Sequence, residues 1–200
     1  MVVRQILENR FSKLLIYESA PSYVLDFVQL IGHDVVRIPR YVFLPNYCFL
    51  QRNSDVGWPH PKDVEILRSF FLKSQNRADH RHPRNAKLYV SRLNSTRSPR
   101  FEARLTEELV KRGWKIILSE NLNMSEQIEL FSGASWIAGV HGAGLSSMVW
   151  MNEGSRVTEL GPARFVPCYS RLATILSHDY QRVEFTDSDK ALENILSILN

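Results

Sequence analysis

The sequence predicts a doubly wound α/β fold, with a parallel sheet of about five strands and helices on both faces. Three observations carry this. Short runs rich in β-branched and aromatic residues alternate with amphipathic segments of helical length throughout the second half. Gly32 and Gly113 stand where two of the amphipathic segments should stop. The interval between successive strands holds one helical crossover, which parallel pairing requires and which turns right-handed.

Composition agrees. Two hundred residues, 44% hydrophobic and 23% charged, suit one ordinary α/β domain, or one full domain with part of a second, and exclude a disordered chain. The net charge of +4 fits an anionic small ligand without requiring one. Cys48 and Cys168 are the only cysteines and form no CxxC, so a reduced compartment is expected rather than a disulfide scaffold or a zinc site. No run approaches the roughly 20 apolar residues of a membrane span. Met1 opens no signal-peptide pattern, so the chain is expected to be cytoplasmic or cut from something larger.

The elements follow in order. "KLLIY" (13–17) reads as a strand, and a helix from about Ser22 to Ile31 ends at Gly32. "DVVRI" (34–38) is a second strand; "YVFLP" (41–45) and "YCFLQ" (47–51) form a hairpin or a bent strand. The turn formers of "RNSDVGWPHP" lead into a helix from about Pro61 to Lys73. "SQNRADHRHPRN" (74–85) is nearly free of apolar residues and reads as a linker or loop. The chain therefore divides into a partial domain (1–55), a connecting helix and linker (56–86) and a complete domain (87–200).

In the complete domain "KLYVS" (87–91), "WKIIL" (114–118), "SWIAGV" (135–140), "SRVTEL" (155–160) and "YQRVEF" (180–185) are strands. Helices are expected over 100–113, over 125–134 with Ser125 as N-cap, over 144–151, over 167–178 and over 189–199.

Ligands of such sheets bind at the carboxyl ends of strands. "VHGAGL" (140–145) lies at such an end. Free N–H groups and the positive end of a helix start there offer an anion site, with His141 as a further donor. The alternative, a tight β-to-α turn capped by a histidine, stays open. In the first reading Gly142 and Gly144 let a phosphate approach the backbone. Gly144→Val is then expected to block the ligand while leaving the fold intact. Glu159 ends the next strand, either as an acceptor for ribose hydroxyls or as an ordinary strand-end residue. Arg92 and Arg97 follow "KLYVS" and can reach a diphosphate at the same edge. Arg77, Arg81 and Arg84 precede that strand and belong to a basic run that reads first as a solvated loop and second as a phosphate-binding rim.

Other chemistries fall away. "HGAG" has an esterase look, but no G-x-S-x-G follows it. Ser147 stands where a dinucleotide motif needs its third glycine, and no Asp-x-Asp suggests a metal. The basic run lacks the interleaved aromatics of a nucleic-acid platform.

"LYVSR" (88–92), "TRSPRFE" (96–102), "GW" (113–114), "SEQIELFSGASWIAGVHGAGLSSMVW" (125–150) and "RVTELGP" (156–162), in this order, resemble the catalytic region of glycosyltransferase family 61. The resemblance is good from Lys87 to Tyr180 and looser before. It implies a GT-B architecture, with 87–200 as the Rossmann-like donor domain and 1–55 as part of a second Rossmann-like, acceptor-side domain. It further implies a nucleotide-sugar donor, usually UDP-linked, a saccharide or other hydroxyl acceptor, inversion, no cofactor or metal, and a place in polysaccharide assembly. Arg92, Arg97, His141, Gly142, Ala143, Gly144, Leu145 and Glu159 are carried over to nucleotide-sugar binding, and no general base is singled out. Where the family often shows a basic pair and "NE", this chain has Ser98 and Phe101. The competing function is a non-catalytic nucleotide- or phosphosugar-binding domain.

Overall fold

The structure is a computed structural model that describes residues 13–20, 22–43, 58–74, 85–162, 166–186 and 188–200. The first elements are a small βαβ unit. Strand β1 (Leu14–Tyr17) pairs in parallel with β2 (Val35–Ile38), and α1 (Ser22–Leu30) joins them. Gly32 takes φ 73° just past the end of α1, a left-handed stop that suits glycine. Residues 41–43 are not strand, and the rest of the expected hairpin lies outside the described residues. Helix α2 (Pro61–Ser74) begins with proline, whose missing N–H is no loss in the first turn. Arg77, Arg81 and Arg84 also lie outside the described residues.

The second half builds the predicted sheet. In chain order the elements are β3 (Ala86–Val90), α3 (Glu102–Lys111), β4 (Lys115–Ile117), α4 (Met124–Ser132) and β5 (Ala134–Val140). A 3₁₀ helix (Ala143–Trp150), β6 (Arg156–Gly161), α5 (Cys168–Ile175), β7 (Asp179–Glu184) and α6 (Asp189–Ile198) complete it. The strands lie in the order β4-β3-β5-β6-β7, all parallel. One core packs Leu88, Val90, Ile137 and Val157 under α2, α4, the 3₁₀ helix and α5. The other packs Tyr89, Ala138, Val140 and Leu160 under α3 and α6. Helices on both faces make a Rossmann-like, doubly wound fold. From β3 the chain steps outward to β4 and then returns to β5 on the other side, so the topological switch lies between β3 and β5.

Two expectations need correcting. Ser125 is not the N-cap of α4. Asn123 is, because its side chain accepts from the Glu126 N–H at 3.0 Å while the Glu126 carboxylate accepts from the Asn123 N–H at 2.8 Å. This reciprocal box satisfies two orphan donors, where Ser125 would satisfy one. The segment after "HGAGL" is a 3₁₀ helix rather than an α-helix. Its C-terminal carbonyls are claimed by side chains from other elements. Arg68 of α2 donates to the Val149 carbonyl and, at 2.9 Å, to that of Met151. His178 Nε2 lies 3.1 Å from the Met148 carbonyl. Phe71 of α2 meets Trp150 edge-on at 5.6 Å, so the βαβ unit's side of the molecule and the main sheet share one core.

Burial lowers the pKa of His178, and the Arg68 charge adds to this against the Met148 carbonyl, which pulls the other way. The folded state therefore holds this imidazole neutral, with Nδ1 buried and without a described partner. The unfolded chain takes up its proton first as pH falls through the ordinary value of 6.5. The stability tied to His178 is therefore full above that value and is lost as pH falls toward the lowered one. Urea midpoints of the parent should drop between about pH 7.5 and 5.5, and His178→Asn should drop less over the same range.

A Cβ at Gly144 would stand 2.5 Å from Val90 Cγ1. Gly144→Ala should therefore destabilise by about 1–3 kcal/mol, the usual range for overpacking a core. In urea unfolding, Val90→Ala should recover part of that loss in the double mutant.

Candidate active site

The site grows from the ends of β5 and β6. Strand alternation sends Ile137 toward the same core as Val157, and Gly139 pairs with Glu159 across the two strands. His141 continues the ladder one step past β5, its N–H on the Leu160 carbonyl at 2.7 Å. That fixes where the imidazole starts. Its Nδ1 lies 2.6 Å from Glu159 Oε1, and Tyr180 of β7 donates its hydroxyl to Glu159 Oε2, also at 2.6 Å. The Glu159 side chain is 1% exposed and that of His141 is 31% exposed. A buried carboxylate thus spends both oxygens on its own chain and fixes a half-exposed imidazole. With Nδ1 engaged, Nε2 is the nitrogen left for a ligand.

Tyr169, in the first turn of α5, meets the His141 ring at 5.1 Å and 64°. Burial, then the neighbouring Cys168 and Glu159, push its phenol up to about 12, against a lowering by Arg92. Burial and the bond to Glu159 push the Tyr180 phenol up further still. Both are neutral hydroxyls at physiological pH. The Cys168 thiol is also raised, by burial first and the Glu159 charge second, so it stays protonated rather than nucleophilic.

The other arm of the site is the loop after β3. Arg92 Nη1 donates to the His141 carbonyl at 2.5 Å and Nη2 donates to Ser95 Oγ at 3.1 Å. The loop starts from a second buried carboxylate. Glu102, 1% exposed at the head of α3, accepts from Tyr89 Oη (2.8 Å), Ser91 Oγ (2.9 Å) and the Arg92 N–H (2.8 Å). Burial, then the Glu102 charge, raises the Tyr89 phenol far above its usual range, so it remains a donor. Phe101 holds the N-cap position without a side-chain cap bond. It is buried instead and meets Phe185 edge-on at 5.1 Å.

The glycines of the turn serve a different purpose from the expected one. A Cβ at Gly142 would stand 2.9 Å from Arg92 Nη1, and one at Gly144 would meet Val90. They admit the neighbouring strand and its arginine, so Gly144→Val would damage the fold itself. Leu145 is fully buried, and its N–H makes the first bond of the 3₁₀ helix, to the Gly142 carbonyl at 3.0 Å. Ala143, ahead of that bond, is exposed.

The structure therefore brings Arg92, His141 and the Gly142–Leu145 turn together at the switch between β3 and β5. Glu159 stands beneath them, buried and bonded to His141 and Tyr180. Arg97 is exposed in the same loop, its backbone N–H on Ser95 Oγ at 3.2 Å, outside this chain of contacts. Sequence reasoning missed Glu102, Tyr169 and Tyr180. A signal existed for Glu102: it precedes Leu105, Thr106 and Leu109 on the buried stripe of α3, where a carboxylate is out of place unless it is bonded.

Residues 11–158 match the family model described as Glycosyltransferase 61. The chain belongs to the glycosyltransferase 61 family. The match covers well over half of the chain and takes in most of the first half, where the motif resemblance was loose. Membership supports a transferase role in general, acting between a sugar donor and an acceptor. No curated protein matches the chain. No helix among the described residues is long and apolar enough to cross a membrane.

Glu102→Gln keeps the shape but turns one acceptor into a donor facing other donors. It should lower stability by about 1.5–3 kcal/mol in urea unfolding, the scale of a hydrogen bond to a charged group. Tyr89→Phe, which removes one donor and leaves the carboxylate two, should lower it by less.

Proposed function

We propose that this chain transfers a sugar from a nucleotide-sugar donor, UDP-linked, to a hydroxyl acceptor with inversion at the anomeric carbon. The observation that carries the reading is the meeting of Arg92 and the His141–Gly142 turn at the topological switch, where doubly wound sheets take their ligands. In this reading the diphosphate rests on the amides ahead of Leu145. Arg92 and Arg97 supply positive charge to it, and His141 Nε2 faces its terminal oxygens. The acceptor hydroxyl gives up its proton to solvent as its oxygen attacks the anomeric carbon, the bond to the diphosphate breaks, and the electron pair leaves on the phosphate. Fixed donors aimed at that developing charge lower the barrier without a metal ion. Glu159 acts through His141 rather than on a ribose.

The domain reading goes with it. Residues 87–200 are the donor domain, 56–86 connect, and 1–55 contribute to an acceptor-side domain of GT-B type. Residues 11–158 fall in one family match, which supports treating both parts as one catalytic unit.

Titration calorimetry with UDP tests the reading. Binding at micromolar to millimolar ligand is expected, and a folded sample that gives no heat at millimolar UDP overturns it. Arg92→Ala should weaken UDP by about 1.5–3 kcal/mol, the scale of one charge-assisted hydrogen bond. Arg97→Ala should cost less and fade with salt, since an exposed charge acts through a screened field.

A further inference from the structure

We propose that Tyr169 is a further substrate-contact residue, whose hydroxyl donates a hydrogen bond to the terminal phosphate of the nucleotide and steadies it as the sugar departs. This rests on the donor-site reading above.

Three tyrosines surround the two buried carboxylates, and they differ in what takes the hydroxyl proton. Tyr89 gives its proton to Glu102 and Tyr180 gives its own to Glu159. Tyr169 lays its ring on His141 at 5.1 Å, and among the described residues nothing accepts from its hydroxyl. A phenol in a folded protein ordinarily finds an acceptor. Tyr169 is half-buried, and its oxygen is not one of the sealed polar atoms that lack a partner, so an acceptor can come from outside.

The neighbours say what kind of acceptor that is. The Arg92 and Glu159 charges both act on this phenol, which places it in the field of the site's two arms. Each Glu159 oxygen already holds a bond of 2.6 Å, and the guanidinium of Arg92 can only donate. The adjacent Cys168 directs its Sγ to the Val166 carbonyl, 3.9 Å away. A free O–H beside a guanidinium and an imidazole suits an anionic oxygen, and the reading above puts the terminal phosphate against His141. Because burial and the neighbouring charges push the phenol up to about 12, it stays protonated and donates rather than repels. No proton changes hands. As the bond to the sugar breaks, the electron pair settles on the phosphate oxygen, and the hydrogen bond from a fixed donor strengthens with that charge.

The test is titration calorimetry of UDP and UMP against the parent and Tyr169→Phe, which keeps the ring on His141 and removes only the hydroxyl. UDP should weaken roughly tenfold or more, the scale of one hydrogen bond to a charged group. The loss should be the same at low and high salt, because a neutral donor acts at contact and not through a screened field. UMP, which lacks the terminal phosphate, should bind the two proteins alike. The urea midpoint of Tyr169→Phe should match the parent's, since no described residue loses a bond. Parental UDP affinity in Tyr169→Phe overturns the proposal, and so does an equal loss for UDP and UMP. A lowered urea midpoint overturns it as well, by giving the hydroxyl a partner within the fold. Failure of UDP to bind the parent overturns instead the donor site on which the proposal rests.

Discussion

Strand β3 runs so close to β5 and the turn after it that no side chain fits between them, and the site follows from that contact. A Cβ at Gly139 would stand 2.8 Å from the Val90 carbonyl and one at Gly144 2.5 Å from Val90 Cγ1, whereas at Gly142 it would meet only the flexible end of the Arg92 side chain. Two bare positions in six residues let the turn settle onto the strand. Only then can Arg92 reach the His141 carbonyl and join two loops that are far apart in sequence. The same closeness forms the first turn of the 3₁₀ helix and leaves the amides ahead of it at the mouth of the switch.

Two buried carboxylates hold the arms of the site, and each is satisfied in its own way. Glu102 collects three donors from β3 and its loop. Glu159 collects two, one of them from the ring it orients. Burying a charge is unfavourable unless its hydrogen bonds are made inside, and here they are. The arrangement ties both loops down at their roots by hydrogen bonds, while Arg97 and Ala143 remain exposed beyond them. A transferase gains from that anchoring, since fixed donors need no reorganisation as charge moves to the leaving group.

The first half of the chain is coupled to this site through α2. Arg68 caps the far end of the 3₁₀ helix whose near end follows the His141–Gly142 turn, and Phe71 packs against Trp150.

Much of this was legible in the sequence. Alternating short strands and amphipathic segments gave the parallel sheet, because βαβ crossovers leave few other solutions. The motifs around "HGAGL" led to the family and picked Arg92, His141 and Glu159, since a histidine and glycines at a strand end stand out from any core pattern. Local rules also erred locally: Ser125 looks like a cap, yet the reciprocal Asn123–Glu126 pair takes that role. What tertiary structure alone decided is what those residues touch. The glycines looked like room for a ligand and prove to be room for Val90 and Arg92. Glu159, which ends a strand in the sequence, lies buried against His141 and Tyr180. Sequence periodicity fixes which face a residue points to, whereas strand order decides which neighbours share that face. Tyr180, on the strand that follows β6, completes a buried network only because β7 pairs beside β6 in parallel and in register.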